Sequence, residues 1–134
     1  MRLYLDSAPI IYFIEGSPAL REAVSARLAG TRNGPDIAVV SHLGRLECRV
    51  KPLREDNRPI LERYDRFFAA EGVELVDTDA PVWDMATELR ARHGLRVPDA
   101  LHLACAIVNR CDRFLTNDHR LDRIQEVPVE ILAT

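Results

Sequence analysis

Four carboxylates stand at the borders of apolar runs or among them: Asp6 after "RLYL", Glu47 in "HLGRLECRV", Asp99 in "RVPDALHLACAIV" and Asp118 just past "RFLT". Carboxylates crowded together raise one another's pKa or repel, unless a divalent cation binds between them. An all-oxygen set of this kind suits Mg²⁺ or Mn²⁺, with waters completing the shell. The chemistry it supports is hydrolysis of a phosphodiester by water activated at the cation. Whether the four meet depends on the elements that carry them.

Residues 2–5 read as a strand that stops at Asp6 and Ser7, and "APIIYFIEG" as a short helix ending at Gly16. A second helix starts at Ser17 and Pro18, repeats Leu20, Val24 and Leu28, and is closed by Gly30. "DIAVVS" is a strand too continuously apolar to have a wet face, as in a parallel sheet. Ser41 caps "HLGRLECRVKPL", which Pro52 bends or stops. From about Pro59 a helix buries Ile60, Leu61, Tyr64, Phe67 and Phe68 and ends at Gly72. "VELV" is a strand, a helix over 80–93 follows the capping Asp79, and a further helix runs from Pro98 and Asp99 to about Arg110. "RFL" and "VEIL" are the last strands. Five short strands interleaved with helices predict a three-layer α/β/α sandwich with a five-stranded, mainly parallel sheet.

In such a sheet, the carboxyl end of each strand and the amino end of the next helix share one edge, where ligands bind. Asp6 and Asp118 follow strands and fall there directly. Glu47 lies six residues past Ser41, roughly 9 Å along the axis, but helical side chains lean toward the amino end and bring it back. Asp99 opens a helix that feeds the fourth strand, which returns its first turn to the same edge. No cationic residue is obviously placed to neutralise the four.

Each acid has a local alternative. Asp6 and Ser7 suit a helix cap, Asp99 complements a helix dipole, Glu47 could pair with Arg45 or Lys51, and "TND" is ordinary turn chemistry for Asp118. His102, three residues past Asp99, faces the same side of its helix but reads as a core histidine with one satisfied nitrogen. His42 and His119 read as surface residues near the rim. Thr116 and Asn117 are candidates for hydrogen bonds to a metal ligand or its water. Arg90, Arg92 and Arg96 lead into the site, either to meet phosphates or as a wet helix end.

The bounds agree with one domain spanning 1–134. The chain is 47% hydrophobic, with no apolar run approaching a membrane span and no apolar leader ending in a cleavage site. A cytoplasmic protein is expected. Cys48, Cys105 and Cys111 suggest neither a disulfide framework nor a thiolate zinc site. A net charge of −3 exerts no global pull on nucleic acid, so a polyanion would be held by a local patch or by metal. Of 18 basic residues only Lys51 is a lysine, which for most positions reflects composition rather than function.

"LYLDSAPIIYFIEG", "VVSHLGRLECRV", "RVPDALHLACA" and "FLTNDHRL" resemble, in this order, the four acidic motifs of PIN-domain ribonucleases, in particular the VapC-type toxins of toxin–antitoxin pairs. The resemblance covers nearly the whole chain. It implies that Asp6, Glu47, Asp99 and Asp118 are Mg²⁺-binding catalytic acids, with Thr116 as their hydroxyl support. It further implies cleavage of RNA with water as nucleophile, a homodimer, and a cognate antitoxin that reaches into or over the acidic site. The family varies at the fourth acid, where Asp122 competes with Asp118 and Asn117 could contribute an oxygen.

Rival chemistries fall on residue grounds. A haloacid-type phosphatase needs a second Asp two residues after Asp6, where Ala8 stands; a receiver domain needs a late lysine; no P-loop stretch exists. The remaining competitor is a PIN-like module that binds RNA or protein without cutting it.

Overall fold

The chain begins with β1 (Arg2–Leu5), α1 (Ser7–Glu15), α2 (Pro18–Arg27), α3 (Ala29–Asn33) and β2 (Ile37–Ser41). It continues with α4 (His42–Arg54), α5 (Arg58–Phe68), β3 (Val73–Val76), α6 (Ala80–His93) and α7 (Val97–Val108). β4 (Arg113–Thr116), a 3-10 helix (His119–Arg123) and β5 (Val129–Ile131) complete a computed structural model that describes residues 1–132. The final two positions of the expected 1–134 span lie outside the described residues.

The five strands form one sheet in the order β3-β2-β1-β4-β5, and every pairing is parallel. Alternation along the strands divides the core between the two faces. Tyr4, Val39 and Phe114 point toward α6 and α7, whereas Leu3, Leu5, Ala38, Val40 and Leu115 point toward α1, α2, α4 and α5. Tyr4 and Phe114 stack across the β1–β4 pair at 5.3 Å. The expected α/β/α sandwich is therefore present, and its sheet is wholly rather than mainly parallel.

Several helix boundaries differ from expectation; α5 ends at Phe68 and not at Gly72, whose φ of 80° belongs to the turn before β3. The second helix stops at Arg27, because the Leu28 N–H turns to the carbonyls of both Ser25 and Val24, and α3 starts afresh. Gly30 lies inside α3 and does not end a helix: a Cβ there would lie 2.2 Å from Asp36 Oδ2, so the residue serves close approach. Pro52 does not stop α4, which runs on to Arg54; its ring is buried, and that burial offsets the hydrogen bond its nitrogen cannot donate. α7 ends before Arg110, which takes a left-handed φ of 57°.

The chain moves outward from β1 through β2 to β3, then crosses by the α6–α7 hairpin to β4 on the other side of β1. Gly94, at φ 65°, makes the left-handed turn between these helices, donating its N–H to the Arg90 carbonyl at 2.8 Å. Strand order thus reverses between β1 and β4, the position at which parallel sheets open a crevice at their carboxyl edge. Asp6 and Asp118 leave the sheet on either side of that crevice.

Candidate active site

Asp6 is the N-cap of α1. Its Oδ1 accepts from Ser7 N at 2.8 Å and its Oδ2 accepts from the Thr116 hydroxyl at 2.8 Å. The same Thr116 oxygen accepts the N–H of Asp118 at 3.0 Å. One buried threonine at the end of β4 therefore ties together the acids that follow β1 and β4. The capping role and the site position of Asp6 coexist, because the cap aims the carboxylate toward the sheet edge.

Glu47 reaches the same edge from α4. Its Oε1 accepts from Ser7 Oγ at 2.6 Å and lies 2.6 Å from His102 Nε2, which is also 3.6 Å from Asp6 Oδ1. Arg45 and Arg49 turn away from Glu47 to Asp65. The hydrogen bond from His102 lowers the Glu47 pKa; burial opposes this, while Ser7 and the Arg96 charge add to it.

His102 departs from its expected role. It is 2% exposed, as a core residue would be, but both ring nitrogens are engaged: Nδ1 sits 2.7 Å from the Tyr4 hydroxyl. Tyr4 OH in turn lies 2.9 Å from Ser41 Oγ, which caps α4 by accepting the Gly44 N–H at 3.1 Å. A buried chain of polar groups therefore runs from the β2–α4 junction to the two acids. From sequence Ser7 has a capping role only and Tyr4 none; a hydroxyl directly after Asp6 is the signal available.

Asp99 lies in the first turn of α7 and accepts from Arg96 Nε at 3.1 Å. Asp118 caps the 3-10 helix by accepting the Arg120 N–H at 3.0 Å, and the Arg120 guanidinium grips both its oxygens at 3.0 and 2.7 Å. That grip holds the Asp118 carboxyl below its usual range. The expectation that no cation faces the acids is thus corrected. Arg96 and Arg120 do, because the turns entering α7 and the 3-10 helix bring each guanidinium back onto a carboxylate close by in the chain.

The other candidates are placed as follows. The Asn117 amide nitrogen donates to the Tyr12 hydroxyl, Asp122 is exposed on the 3-10 helix, and His42 faces Asp77 at 3.0 Å. Of the three arginines leading into the site, Arg90 donates to the Leu95 carbonyl and Arg92 to Glu126, so only Arg96 meets the acids. Burial raises the thiol pKa values of Cys48, Cys105 and Cys111 to about 12, 11 and 12, which makes all three poor nucleophiles.

Among the described residues no three His, Cys, Asp or Glu side chains are arranged to hold a metal ion in this conformation. The donor chemistry nonetheless fits a hard cation. The four acids are carboxylates on one edge, only 16% (Asp6), 33% (Glu47), 16% (Asp99) and 21% (Asp118) exposed. Protein donors hold only one oxygen of Glu47 and one of Asp99.

The chain resembles several solved structures along nearly its full length. A chain of the VapBC2 structure from Rickettsia felis, bound to a DNA fragment from the promoter, superposes with a TM-score of 0.79 at 19% identity, covering 99% of this chain and 100% of that one. A toxin–antitoxin complex from Klebsiella pneumoniae gives 0.71 at 20% identity, covering 93% and 94%. Mycobacterium tuberculosis VapC20, described as a sarcin–ricin loop cleaving toxin, gives 0.70 at 15% identity, covering 94% and 98%. No curated protein matches the sequence. At these identities the likeness carries the fold. The sequence itself matches the PIN domain model over residues 3–127, and the chain belongs to the PIN domain family.

Proposed function

We propose that this protein is a divalent-metal-dependent ribonuclease that hydrolyses RNA phosphodiester bonds with water, and the toxin of a toxin–antitoxin pair. What supports the reading is that Asp6, Glu47, Asp99 and Asp118 come from four elements toward the carboxyl edge of the sheet at the β1–β4 crevice. The linkage of Asp6, Glu47 and Asp118 through Thr116 and His102 argues for one site over separate caps and turns, and Asp99 joins it through Arg96, whose charge acts on Glu47 and Asp118.

In this reading the four acids hold Mg²⁺ or Mn²⁺, with Asp122 as the alternative fourth acid. When bound, such an ion makes a water acidic enough to attack and offsets charge developing on the phosphate. The chain's own groups do the positioning. Thr116 fixes one oxygen of Asp6, and Ser7 with His102 fixes one oxygen of Glu47, so each acid enters with its orientation set before substrate arrives.

Partners follow the same reading. A cavity of about 560 Å³ between α1, α2 and α5 is lined by Phe13, Ile14 and Phe67 together with Arg21, Arg63 and Arg66 and the acids Glu22 and Glu71, which suits an amphipathic segment of a cognate antitoxin. Leu46, Val50 and Leu53 are exposed at helical spacing on α4 and support a homodimer. We assign the chain to the cytoplasm as one domain over 1–134. Three free buried cysteines suit a reducing compartment, and among the described residues no helix is long and apolar enough to cross a membrane.

The test is to incubate purified, antitoxin-free protein with structured RNA and Mg²⁺ or Mn²⁺, beside Asp99→Asn. Cleavage by the wild type alone is expected. Equal cleavage by both, or none at any metal concentration, would leave a non-catalytic PIN-like module that binds RNA or protein.

A further inference from the structure

Asp99 and Asp118 share a feature that Asp6 and Glu47 lack: each is held by an arginine almost adjacent in sequence. Arg96 reaches Asp99 and Arg120 grips Asp118, and both guanidinium-bearing side chains are 68% exposed. Their carboxylates are only 16% and 21% exposed, so the arginines cover the acids from the solvent side. The pairs also sense each other, since Asp99 acts on Arg120 and Arg96 acts on Asp118. Two positive and two negative charges therefore alternate at the mouth of the crevice.

Neither arginine is needed to hold its own backbone in place. The 3-10 helix remains capped by Asp118 through the Arg120 N–H, and Leu121 anchors it at 2% exposure. Before α7, Leu95 is buried and its carbonyl is pinned by Arg90 at 2.8 Å. Arg96 itself stands at the N-cap with no side-chain cap bond. Both side chains can leave the acids while the turns that carry them stay put. The Arg96 pair is a single contact that holds weakly, while Arg120 binds Asp118 through two bonds and leaves only when a cation competes for that carboxylate.

We propose that Arg96 and Arg120 are exchangeable arms: they hold Asp99 and Asp118 until a divalent cation takes those carboxylates, and then bind RNA phosphates beside the bond that is cut. A guanidinium fork matches phosphate as well as it matches carboxylate. With a net charge of −3 the chain has no general attraction for RNA, so two freed cations at the mouth supply it locally, at the moment the metal is in place. The inference rests on the nuclease reading and adds to it a coupling between metal uptake and substrate binding.

The test measures Mn²⁺ affinity by calorimetry and the binding of a short single-stranded RNA of mixed sequence in Ca²⁺ across a salt series. Wild type is compared with Arg96→Gln, Arg120→Gln and the double variant. Arg58→Gln serves as control, because it removes the same charge from a pair with Asp56 that contains none of the four acids. Thermal melts establish that each variant is folded, and Arg→Met versions, which keep the aliphatic stem without the charge, replace any that is not. The double variant is expected to bind Mn²⁺ about threefold to tenfold tighter, since two competing ion pairs are gone. Its RNA binding is expected to weaken, with the salt slope reduced by about 0.7 per lost phosphate contact. Arg58→Gln should alter neither. Unchanged or weaker Mn²⁺ binding, or an unchanged salt slope, overturns the proposal while the nuclease reading stands. A wild type that binds neither Mn²⁺ nor RNA overturns both.

Discussion

The Nε2 atom of His102 lies 2.6 Å from Oε1 of Glu47, and the imidazole that carries it is 2% exposed. A buried ring thus fixes a half-buried acid. Removing it should act on two observables at once. His102→Ala removes one partner each from the Tyr4 hydroxyl and Glu47, which keep Ser41 and Ser7, and is expected to lower unfolding free energy by about 1–3 kcal/mol. Ribonuclease activity should fall further than stability explains, with His102→Gln recovering part of it. Denaturant melts paired with cleavage rates check this, and a stability loss with full activity would reduce His102 to a core residue.

Thr116→Val keeps shape and burial while deleting the hydroxyl that joins Asp6 to the Asp118 backbone. Metal affinity or activity should drop by about 10–100-fold, the usual effect of losing a group that orients a ligand. The measurement is Mn²⁺ titration beside a single-turnover assay. Thr116→Ser, which retains the oxygen, should stay near wild type; parallel losses in both variants would assign the effect to packing.

Glu126 offers a test of pH dependence away from the acids. Burial would raise its carboxyl, but hydrogen bonds from His93 and Arg92 bring it down to about 2 from the ordinary 4.5. A carboxyl lowered in the folded state stabilises the fold above its unfolded pKa, and that contribution is lost as pH falls from about 4.5 toward 2. Urea midpoints measured across this window should decline more steeply in wild type than in Glu126→Gln. Identical pH profiles would show that the His93 and Arg92 contacts contribute nothing in solution.

Leu53 is 62% exposed and Val50 41% exposed on one face of α4. Leu53→Glu should leave monomer stability within about 0.5 kcal/mol, as surface changes usually do, yet shift the protein from dimer to monomer. Sedimentation velocity reads the outcome directly. A variant that sediments as the wild type does would remove this face from the assembly.

Much of this architecture is legible in the sequence because it rests on local periodicity. β2 follows from a continuous apolar run, β1 and β3 from short apolar stretches bounded by turn residues, and Ser41 announces α4 by its capping chemistry. Asp6 and Asp118 are placed by topology alone, since a residue that ends a parallel strand has only one edge to occupy. The break at Leu28 was hidden, because Leu20, Val24 and Leu28 keep their spacing up to the residue where the hydrogen bonds change. Pro52 misled for the opposite reason: a local rule against helix was outweighed by tertiary burial. The partners of the acids are hidden on other grounds. Arg120 reaches Asp118 inside the 3-10 turn that Asp118 caps, a conformation the turn residues do not specify, whereas His102 meets Glu47 across 55 residues, a distance set by tertiary packing.

The pairing of β1 with β4 has a consequence for synthesis. Leu3 pairs in register with Arg113, and the Thr116 hydroxyl meets Asp6 over a separation of 110 residues. Contacts of such long range are slow to form and cannot begin until both partners exist. A chain still emerging from the ribosome can build β1, β2 and β3, with Asp6 and Glu47 already at their edge, yet it lacks the strand that completes the crevice. Completion of the crevice is therefore delayed by its own topology, since it waits for Thr116, 110 residues after Asp6.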